Sequence, residues 1–551
     1  MNLSKHKDNL MFLPLGGSGE IGMNVNLYHL DGKWIMIDLG AGFADHDLLP
    51  GIDMLAPNLE FVFGLKENFL GLVVTHAHED HLGAITYFWE HLRCPIYTTP
   101  FTANVLRAKL EEFSYANQVK IHELAPGSHF SIGPFAMEMV SLTHSIPEMQ
   151  AIAIKTRHGT VMHTGDWKFD DMPLVGPASD YPKLKKYGDE GVLAMVCDST
   201  NVMNPGHSGS ESELRQSLSD LVAQSRQLVA VTTFASNIAR VETIARAASA
   251  NGRKVVMMGR SLWRITQAGR EAGYLQDIPE FLTDQEAKKY PRDKLLLICT
   301  GCQGEPLAAT NKLANDLLPT IKLKPKDTII FSSKIIPGNE KRIYRLFNHF
   351  IKRGVEVLTE KDHFVHVSGH PSRQELKKMY ELVRPQIAIP VHGEAVHLHE
   401  HCKFAKEWGV PTSVEITNGD LVSLAPGKPE RVAVVPFGYF AVDGHFLLAP
   451  DSAAIKLRRR MLNDGIVFCT VVLNVKGDLA TKPGVFAPGM LDPQEDKDLL
   501  NDMAEAVSGM VELQDRPSND LVEKQVRNTL RRMCKDEMGK YPSIEVQVMR
   551  V

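Results

Sequence analysis

The chain contains 551 residues, of which 44% are hydrophobic, 23% charged and 7% aromatic. This is the composition of a globular protein, and the length predicts about three or four domains. No apolar run approaches the roughly 20 residues that span a bilayer, and residues 1–9 lack the apolar core of a signal peptide. We therefore expect a cytoplasmic protein without a membrane partner. The net charge of −5 argues against a general nucleic-acid coat, but not against an enzyme that holds phosphates through bound metal ions.

A glycine-rich turn follows the first predicted strand, 11–15. Gly17, Gly19 and Gly22 formally fit the GxGxxG pattern of dinucleotide-binding proteins. That pattern must open a helix, because the helix N-terminus holds the pyrophosphate. Here residues 23–28 alternate between polar and apolar side chains, as a strand does. The sequence therefore predicts a β-hairpin and not a dinucleotide-binding fold.

The strongest chemical signal is the segment THAHEDHLG at 75–83, which directly follows an apolar strand and precedes a helical pattern at 82–92. Its four candidate ligands are His76, His78, Asp80 and His81. Alternate residues of an extended segment face one way, so the first two histidines can hold one ion, while the turn into the helix lets the other two face a second. Nitrogen and oxygen ligands suit zinc or manganese, and the absence of sulfur argues against a structural zinc site. A solvated polar loop is the alternative, but this spacing is far more specific.

Two metal ions need more ligands than this loop supplies. Three further candidates, His144, Asp166 and His392, each follow a predicted strand. His144 and Asp166 are each weak evidence alone, but their order after the first motif makes them convincing, and Asp166 is placed to bridge both ions. His392 could complete the second metal site. Asp38 also ends a strand, where it would either orient a ligand histidine from behind or form a turn.

The middle of the chain changes to alternating strands and helices, which predicts a doubly wound α/β unit. The predicted domains are 1–207, an inserted domain at 208–360, a return to the first domain at 361–450, and a C-terminal α+β domain at 460–551. The predicted helices of the insertion include 211–225 and 238–250, and its predicted strands are 228–232, 254–258, 295–300 and 328–332.

Three other features are weaker evidence for function. Cys299 and Cys302 form a lone CxxC, which we interpret as buried residues because no second ligand pair is nearby. The basic run 458–460 is interpreted as a solvated loop or a subunit contact rather than an RNA-binding patch. Three histidines after His392 are interpreted as surface or hydrogen-bonded residues: His397, His399 and His401.

The ordered set of motifs resembles the metallo-β-lactamase superfamily, its β-CASP RNA-processing branch, and specifically ribonuclease J. The motifs are LGGSGEIG at 15–22, GID at 51–53, HSIP at 144–147, HTGDWKFD at 163–170, DSTN at 198–201, TFASNI at 233–238, GCQGEP at 301–306, HVSGH at 366–370 and HGE at 392–394. The resemblance covers essentially the whole chain. It implies an α/β protein with a metallo-β-lactamase αββα sandwich, an inserted β-CASP α/β domain and a small C-terminal α+β domain.

The resemblance also implies a site. One metal ion would be held by His76, His78 and His144, the other by Asp80, His81 and His392, with Asp166 between them. The ions would be two Zn²⁺, with Mn²⁺ or Mg²⁺ able to replace them. Proton transfer would fall to Asp198 and His370. The substrate-binding residues would be Ala235, Ser236, Asn237, His366, Val367, Ser368, Gly369 and His370, and the helix that follows Asn237 favours an anion at its N-terminus.

The activity implied is hydrolysis of RNA phosphodiester bonds with a two-metal centre, in rRNA processing and mRNA decay. The enzyme would act as a 5′→3′ exonuclease that prefers a 5′-monophosphate and as an endonuclease. It would form homodimers or homotetramers and join an RNA-degradation complex. The sequence departs from the family at two places. Cys302 replaces a serine that is common in the family. In calcium-binding members Asp53 is accompanied by a glycine-rich pattern that residues 448–451 lack, and this difference argues against structural Ca²⁺.

Three rival functions stand beside this one. A thioesterase or lactamase of the same fold would not need the large insertion or the two late histidine motifs. A non-catalytic RNA-binding subunit would tolerate lost ligands, whereas all seven candidates are present. DNA as the substrate stays open, since recognition of the 2′-hydroxyl cannot be read from motifs.

Overall fold

The computed structural model describes residues 4–45 and 48–551, so part of the N-terminal segment 1–9 lies outside the described residues. The chain forms two compact units. The large unit runs up to Gly42 and from Ala56 to Gly438, and the small unit comprises Phe43–Leu55 and Tyr439–Val551. Within the described ranges, every helix is too short or too polar to cross a bilayer.

Two mixed β-sheets pack face to face in the large unit. In spatial order, the eight strands of the first sheet are Glu430–Val434, Asp420–Ala425, Leu10–Gly16, Val25–Leu30, Lys33–Ile37, Phe69–Val73, Ile96–Thr98 and Ile121–Glu123. The seven strands of the second are His129–Ile132, Phe135–Ser141, Gln150–Thr156, Gly159–His163, Val192–Asp198, Pro385–Val391 and Thr412–Ser413. Phe12 and Ile35 from the first sheet share one buried core with Met139 and Ile152 from the second, which makes the pair a sandwich.

Helices accompany both sheets. They are Glu60–Phe63, Glu79–Leu82, Ile85–Leu92, Pro100–Leu110, Tyr181–Glu190, Arg373–Val383 and Ala395–Glu407. The second sheet buries its outer face in another core, where Met162 and Met195 meet helix residues such as Leu184, Leu376 and Ala405. A short ladder of Ser18–Gly19 with Gly393–Glu394 places the glycine-rich turn beside His392.

The second α/β element of the large unit is an insertion. The chain leaves the second sheet after Val192–Asp198 and re-enters it at Pro385–Val391, the neighbouring parallel strand. Between them lies a five-stranded sheet, all parallel, in the order Lys254–Met258, Leu295–Cys299, Val229–Thr232, Thr328–Phe331 and Glu356–Leu358. Its helices are Glu211–Gln224, Ile238–Ala250, Arg260–Glu271, Ala309–Ala314 and Glu340–Lys352.

The small unit contains a three-stranded sheet and a core of its own. The strands are Gly484–Phe486, Ile466–Leu473 and Ser543–Arg550, and helices Lys497–Glu512 and Asn519–Met538 cover them. A four-stranded sheet contains the strands Phe446–Leu448, Tyr439–Asp443, Met54–Pro57 and Gly42–Phe43. Helix Ala453–Asp464 follows it.

Several local predictions can be compared with these elements. The hairpin of Val25–Leu30 with Lys33–Ile37 is confirmed, and no helix opens at the glycine-rich turn. The loop predicted for 458–460 is wrong: these arginines lie in helix Ala453–Asp464, where Arg458 pairs with Asp443. The helical pattern predicted at 82–92 is confirmed over Ile85–Leu92, but Leu82 ends a separate short helix, Glu79–Leu82, instead of starting this one. Cys299 and Cys302 are buried, as predicted.

Candidate metal centre

The histidine-rich loop is held in place by one buried carboxylate. Asp38 accepts hydrogen bonds from the backbone nitrogen of Thr75 at 2.7 Å and from its hydroxyl at 2.8 Å. The same carboxylate lies 2.7 Å from Nδ1 of His81. Asp38 also has a positive φ of 64°, so it both shapes the turn after its strand and orients a candidate ligand from behind.

Four side chains form a first cluster of candidate ligand atoms: His76, His78, His144 and Asp166. Their ligand atoms all lie within 4.8 Å of one another. Nδ1 of His78 lies 3.1 Å from Nε2 of His76 and 3.0 Å from Nε2 of His144. Three ring nitrogens this close together can bind one cation as ligands.

The partners of these rings fix which nitrogen carries the proton. Nδ1 of His144 lies 2.5 Å from the carbonyl of Gly369, which can only accept, so this nitrogen donates. Thr75 gives its hydroxyl proton to Asp38 and therefore accepts from Nδ1 of His76 at 2.9 Å. In both rings Nε2 is left with its lone pair, which is the form that binds a metal.

Burial keeps the same rings neutral. It lowers the pKa of His78 from 6.5 to about 4, and it holds the pKa of His76 and His144 well below the ordinary value, with help from the charges of neighbouring histidines. A metal-ligating imidazole must be neutral. The cluster therefore presents its ligands in the correct protonation state at neutral pH.

A second cluster shares Asp166 with the first: Asp80, His81, Asp166 and His392. Asp166 lies 3.0 Å from Nε2 of His81 and 3.0 Å from Nδ1 of His392. Burial acts to lower the pKa of His81 and His392, but the Asp166 carboxylate raises it well above the ordinary value, so the cluster favours positive charge. Nε2 of His392 is buried without a hydrogen-bond partner among the described residues, although it lies 3.2 Å from Asp80.

The two clusters fit divalent cations. Imidazole nitrogens and carboxylate oxygens suit zinc and manganese, and no cysteine takes part. The unpartnered nitrogen of His392 and the close approach of the ring nitrogens around His78 are both explained if cations lie between these groups. Asp166 is buried and, among the described residues, is the one side chain that belongs to both clusters.

Asp198 and His370 lie at the edge of the second cluster. Nδ1 of His370 is 2.8 Å from the buried carboxylate of Asp198 and 3.9 Å from Asp166. Asp198 also accepts a hydrogen bond from the backbone nitrogen of Thr200 at 2.8 Å. Burial acts to lower the pKa of His370, but Asp198 raises it, and the net pKa lies above the ordinary value.

The HVSGH segment joins this centre to the inserted sheet. On one side, the carbonyl of Gly369 contacts His144, and the Ser368 hydroxyl accepts a hydrogen bond from Asn201 at 2.7 Å. On the other, the carbonyl of Val365 accepts from Arg240 at 3.3 Å. The backbone nitrogen of Arg240 donates to Asn237, which caps helix Ile238–Ala250. Arg240 therefore connects Asn237 with Val365, the residue that precedes the HVSGH segment.

Comparison with known proteins agrees with this arrangement. Family models match as a beta-lactamase superfamily domain at 34–179, a ribonuclease J beta-CASP domain at 226–350, a Zn-dependent metallo-hydrolase RNA specificity domain at 354–414 and a ribonuclease J C-terminal domain at 453–551. Ribonuclease J of Sinorhizobium meliloti is 39% identical, over 99% of this chain and 98% of its own length. The chain belongs to the ribonuclease J family. The predicted family and fold class are thereby confirmed, and the chain is an enzyme of the metallo-hydrolase class.

Other relatives of this ribonuclease J family member span the chain equally well. Ribonuclease J2 of Bacillus subtilis is 30% identical over 99% of this chain and 100% of its own length, and ribonuclease J of Helicobacter pylori is 32% identical over 99% and 80%. A solved structure of a protein of unknown function from Enterococcus faecalis has a TM-score of 0.52 at 15% identity, and covers 75% of this chain and 99% of that one. That structure supports the fold alone.

Sequence reasoning missed two positioning residues of this ribonuclease J site. Arg240 is buried, binds Glu211 with two hydrogen bonds, and also reaches Ser332. Thr200, whose hydroxyl lies 3.1 Å from the carbonyl of His392, belongs to the DSTN motif but received no role. An arginine on the apolar face of a predicted helix was the available signal for Arg240, because such a residue is rarely buried unless it is paired.

Proposed function

We propose that the chain is a ribonuclease that hydrolyses RNA phosphodiester bonds with two divalent cations. His76, His78 and His144 would hold one cation, Asp80, His81 and His392 the other, and Asp166 would contact both. The observation that carries the proposal is the sharing of buried Asp166 by two ligand clusters in a ribonuclease J family member. Zn²⁺ is the proposed cation, with Mn²⁺ or Mg²⁺ able to take its place.

The proposed chemistry divides between the cations and two side chains. Bound cations lower the pKa of water and neutralise charge that develops on a phosphate. Asp198 accepts from Nδ1 of His370, which leaves Nε2 of that ring to carry a transferable proton. The raised pKa of His370 favours the protonated ring, whose Nε2 can give its proton to the leaving 3′-oxygen.

RNA binding is proposed for two segments. Residues 235–237 precede helix Ile238–Ala250, whose first backbone N–H groups favour an anion. Residues 366–370 run from the inserted sheet to the carbonyl contact with His144. We assign phosphate and sugar contacts to Ala235, Ser236, Asn237, His366, Val367, Ser368, Gly369 and His370.

The finer activity follows the family. We propose 5′→3′ exonuclease action with preference for a 5′-monophosphate, together with endonuclease action, in rRNA processing and mRNA decay. A homodimer or homotetramer, and membership of an RNA-degradation complex, belong to the same proposal. The support is the full-length similarity to proteins named ribonuclease J.

The test uses RNA labelled at its 3′ end, with a 5′-monophosphate or a 5′-triphosphate, and metal-loaded protein. Stepwise shortening from the 5′ side that is faster on the monophosphate and stops with EDTA is expected. Asp166→Ala should abolish it. Asp171→Ala, which removes an exposed carboxylate from the same segment, should keep normal turnover.

Three outcomes would contradict the proposal. Normal turnover by Asp166→Ala would remove the shared carboxylate from the mechanism. RNA binding without cleavage under Zn²⁺, Mn²⁺ and Mg²⁺ would favour the non-catalytic subunit. Equal cleavage of single-stranded DNA of the same sequence would show that the 2′-hydroxyl is not recognised.

A further inference from the structure

The segment before the HVSGH motif has two different faces. Val365 and Val367 are buried, whereas Phe364 is 47% exposed and His366 and Ser368 are half-buried. The backbone nitrogen of Val365 donates to the carbonyl of His363 at 2.9 Å, so the chain turns tightly at Phe364. Phe364 is therefore exposed at a turn that lies two residues before His366, the first residue of the segment proposed to meet RNA.

The segment is fixed by its backbone. The carbonyl of Val365 accepts hydrogen bonds from the Ser332 hydroxyl at 2.7 Å and from Arg240 at 3.3 Å. Arg240 is itself anchored by Glu211 through two hydrogen bonds of 2.7 and 3.0 Å. Phe364 is thus an exposed aromatic ring on a rigid support, and no other ring or cation packs against it among the described residues.

The surroundings are suited to a phosphate next to this ring. Nδ1 of His366 is buried without a hydrogen-bond partner among the described residues. Burial lowers the pKa of His366, and the positive charges of Arg240, Lys334 and Lys168 lower it further. Arg240 binds the Val365 carbonyl, and Lys334 follows Ser332, whose hydroxyl binds the same carbonyl, so both run beside this segment. Arg240 and Lys168 each pair with a carboxylate, whereas Lys334 is exposed and forms no ion pair within the described ranges.

We propose that Phe364 is a stacking platform for one nucleobase of the bound RNA, whose adjacent phosphate lies by His366 and Lys334. The inference rests on the proposed function and adds a base contact to it. Aromatic side chains stack on any base, because every base has a π-face, and such a contact changes affinity by about tenfold. It would hold a single strand near its 5′ end without reading the sequence.

The test combines variants of the metal-loaded protein with a series of 5′-monophosphorylated RNAs, each lacking one base at positions 1 to 5. For the wild type, one position should stand out, with kcat/KM reduced about tenfold when that base is missing. Phe364→Ala should reduce kcat/KM on intact RNA by a similar factor, mainly through KM. On the RNA that lacks the critical base, Phe364→Ala and wild type should be equal. Phe364→Trp should restore the intact-RNA rate.

The controls separate stacking from indirect effects. Phe437→Ala removes a phenylalanine of similar exposure, 51%, outside the proposed site and should leave every rate unchanged. Lys334→Ala should reduce the salt dependence of KM without altering the abasic pattern. If Phe364→Ala lowers all rates by the same factor whichever base is missing, the residue only supports the loop and the inference is overturned. If the wild-type protein cleaves no intact RNA, the result contradicts the proposed function itself and not only the role of Phe364.

Discussion

Asp38 shows how one residue determines the chemistry of another. Its carboxylate receives two hydrogen bonds from Thr75 and one from Nδ1 of His81, so it fixes both the loop and the tautomer of a candidate ligand. The sequence placed Asp38 at a strand end, but a turn and a ligand contact were equally compatible with that position. The contact with the ligand depends on how close His81 lies to Asp38 in the folded protein, and the sequence around Asp38 does not determine this distance.

Replacing this carboxylate by an amide should weaken metal binding without unfolding the protein. Asp38→Asn keeps an oxygen for Thr75 but loses the charge that orients His81, and such changes typically cost about 10- to 100-fold in metal affinity or activity. Competition titration with a zinc chelator measures this loss. The exposed control Glu67→Gln should behave as wild type. Unchanged zinc affinity in Asp38→Asn would contradict the orienting role.

A second residue-scale prediction concerns acid stability. His401 is buried between the Ser199 hydroxyl at 2.8 Å and the Tyr380 hydroxyl at 3.0 Å. Burial lowers its pKa from 6.5 to about 4, against a raising effect of Asp198. Below pH 6.5 this histidine takes up a proton in the unfolded chain but stays neutral in the folded protein. The free energy of unfolding is therefore highest above pH 6.5 and falls by about 1.4 kcal/mol per pH unit down to pH 4.

The measurement compares unfolding free energies between pH 7 and pH 4.5 for wild type and His401→Gln. The variant should show a shallower decline, because it lacks this titration, while acid release of metal affects both proteins alike. His399→Gln, which replaces an exposed histidine of the same helix, serves as the control and should follow the wild-type curve. Equal slopes for wild type and His401→Gln would exclude His401 as the source.

At the scale of elements, the two errors in helix assignment have the same origin. The segment 82–92 has helical periodicity, yet a turn at Gly83 and Ala84 separates two helices, and Gly83 packs so closely that a Cβ would lie 2.5 Å from the Glu79 carbonyl and 2.9 Å from Ala41. The arginines 458–460 lie in helix Ala453–Asp464, in which Arg458 binds Asp443 and Arg459 binds the Leu48 carbonyl. Both outcomes depend on partners far away in sequence, whereas the hairpin at 25–37 depends on its own alternation and was predicted.

The helices at the start of the insertion are joined by a buried ion pair. Arg240 and Glu211 have almost no exposed side-chain surface, and Arg240 also binds Ser332 and Val365. Arg240→Ala leaves the Glu211 charge unpaired, which should destabilise the protein by about 3–5 kcal/mol. Urea unfolding measures the loss, and Arg240→Ala with Glu211→Ala should cost less than the sum of the single changes. Lys185→Ala, which breaks an exposed pair, should leave the midpoint unchanged. Additive single and double effects would show that the two side chains do not interact.

At the scale of the whole molecule, the candidate centre depends on the return of the chain from the insertion to the second sheet. The strands Val192–Asp198 and Pro385–Val391 are neighbours although the entire inserted sheet lies between them in sequence. Residue patterns placed His392 after a strand, where it could complete the second metal site, and placed Asp166 between both ions, whereas the complete assignment of ligands to each ion came from the family resemblance. The domain boundaries, the oligomeric state and the cytoplasmic location stay predictions.

All seven candidate ligands lie in the large unit, so metal removal should act there alone. A ligand present at about 100 times its Kd stabilises the folded state by about 2.7 kcal/mol. Amide hydrogens that exchange only when the unit unfolds should then exchange roughly 100-fold more slowly. EDTA should therefore speed hydrogen exchange in the strands Phe69–Val73 and Gly159–His163, which lead into ligand loops. Exchange in Ile466–Leu473 of the small unit is the internal control and should not change. Added Zn²⁺ should restore protection. Uniform acceleration in both units would mean that cations act on the protein generally rather than through this centre.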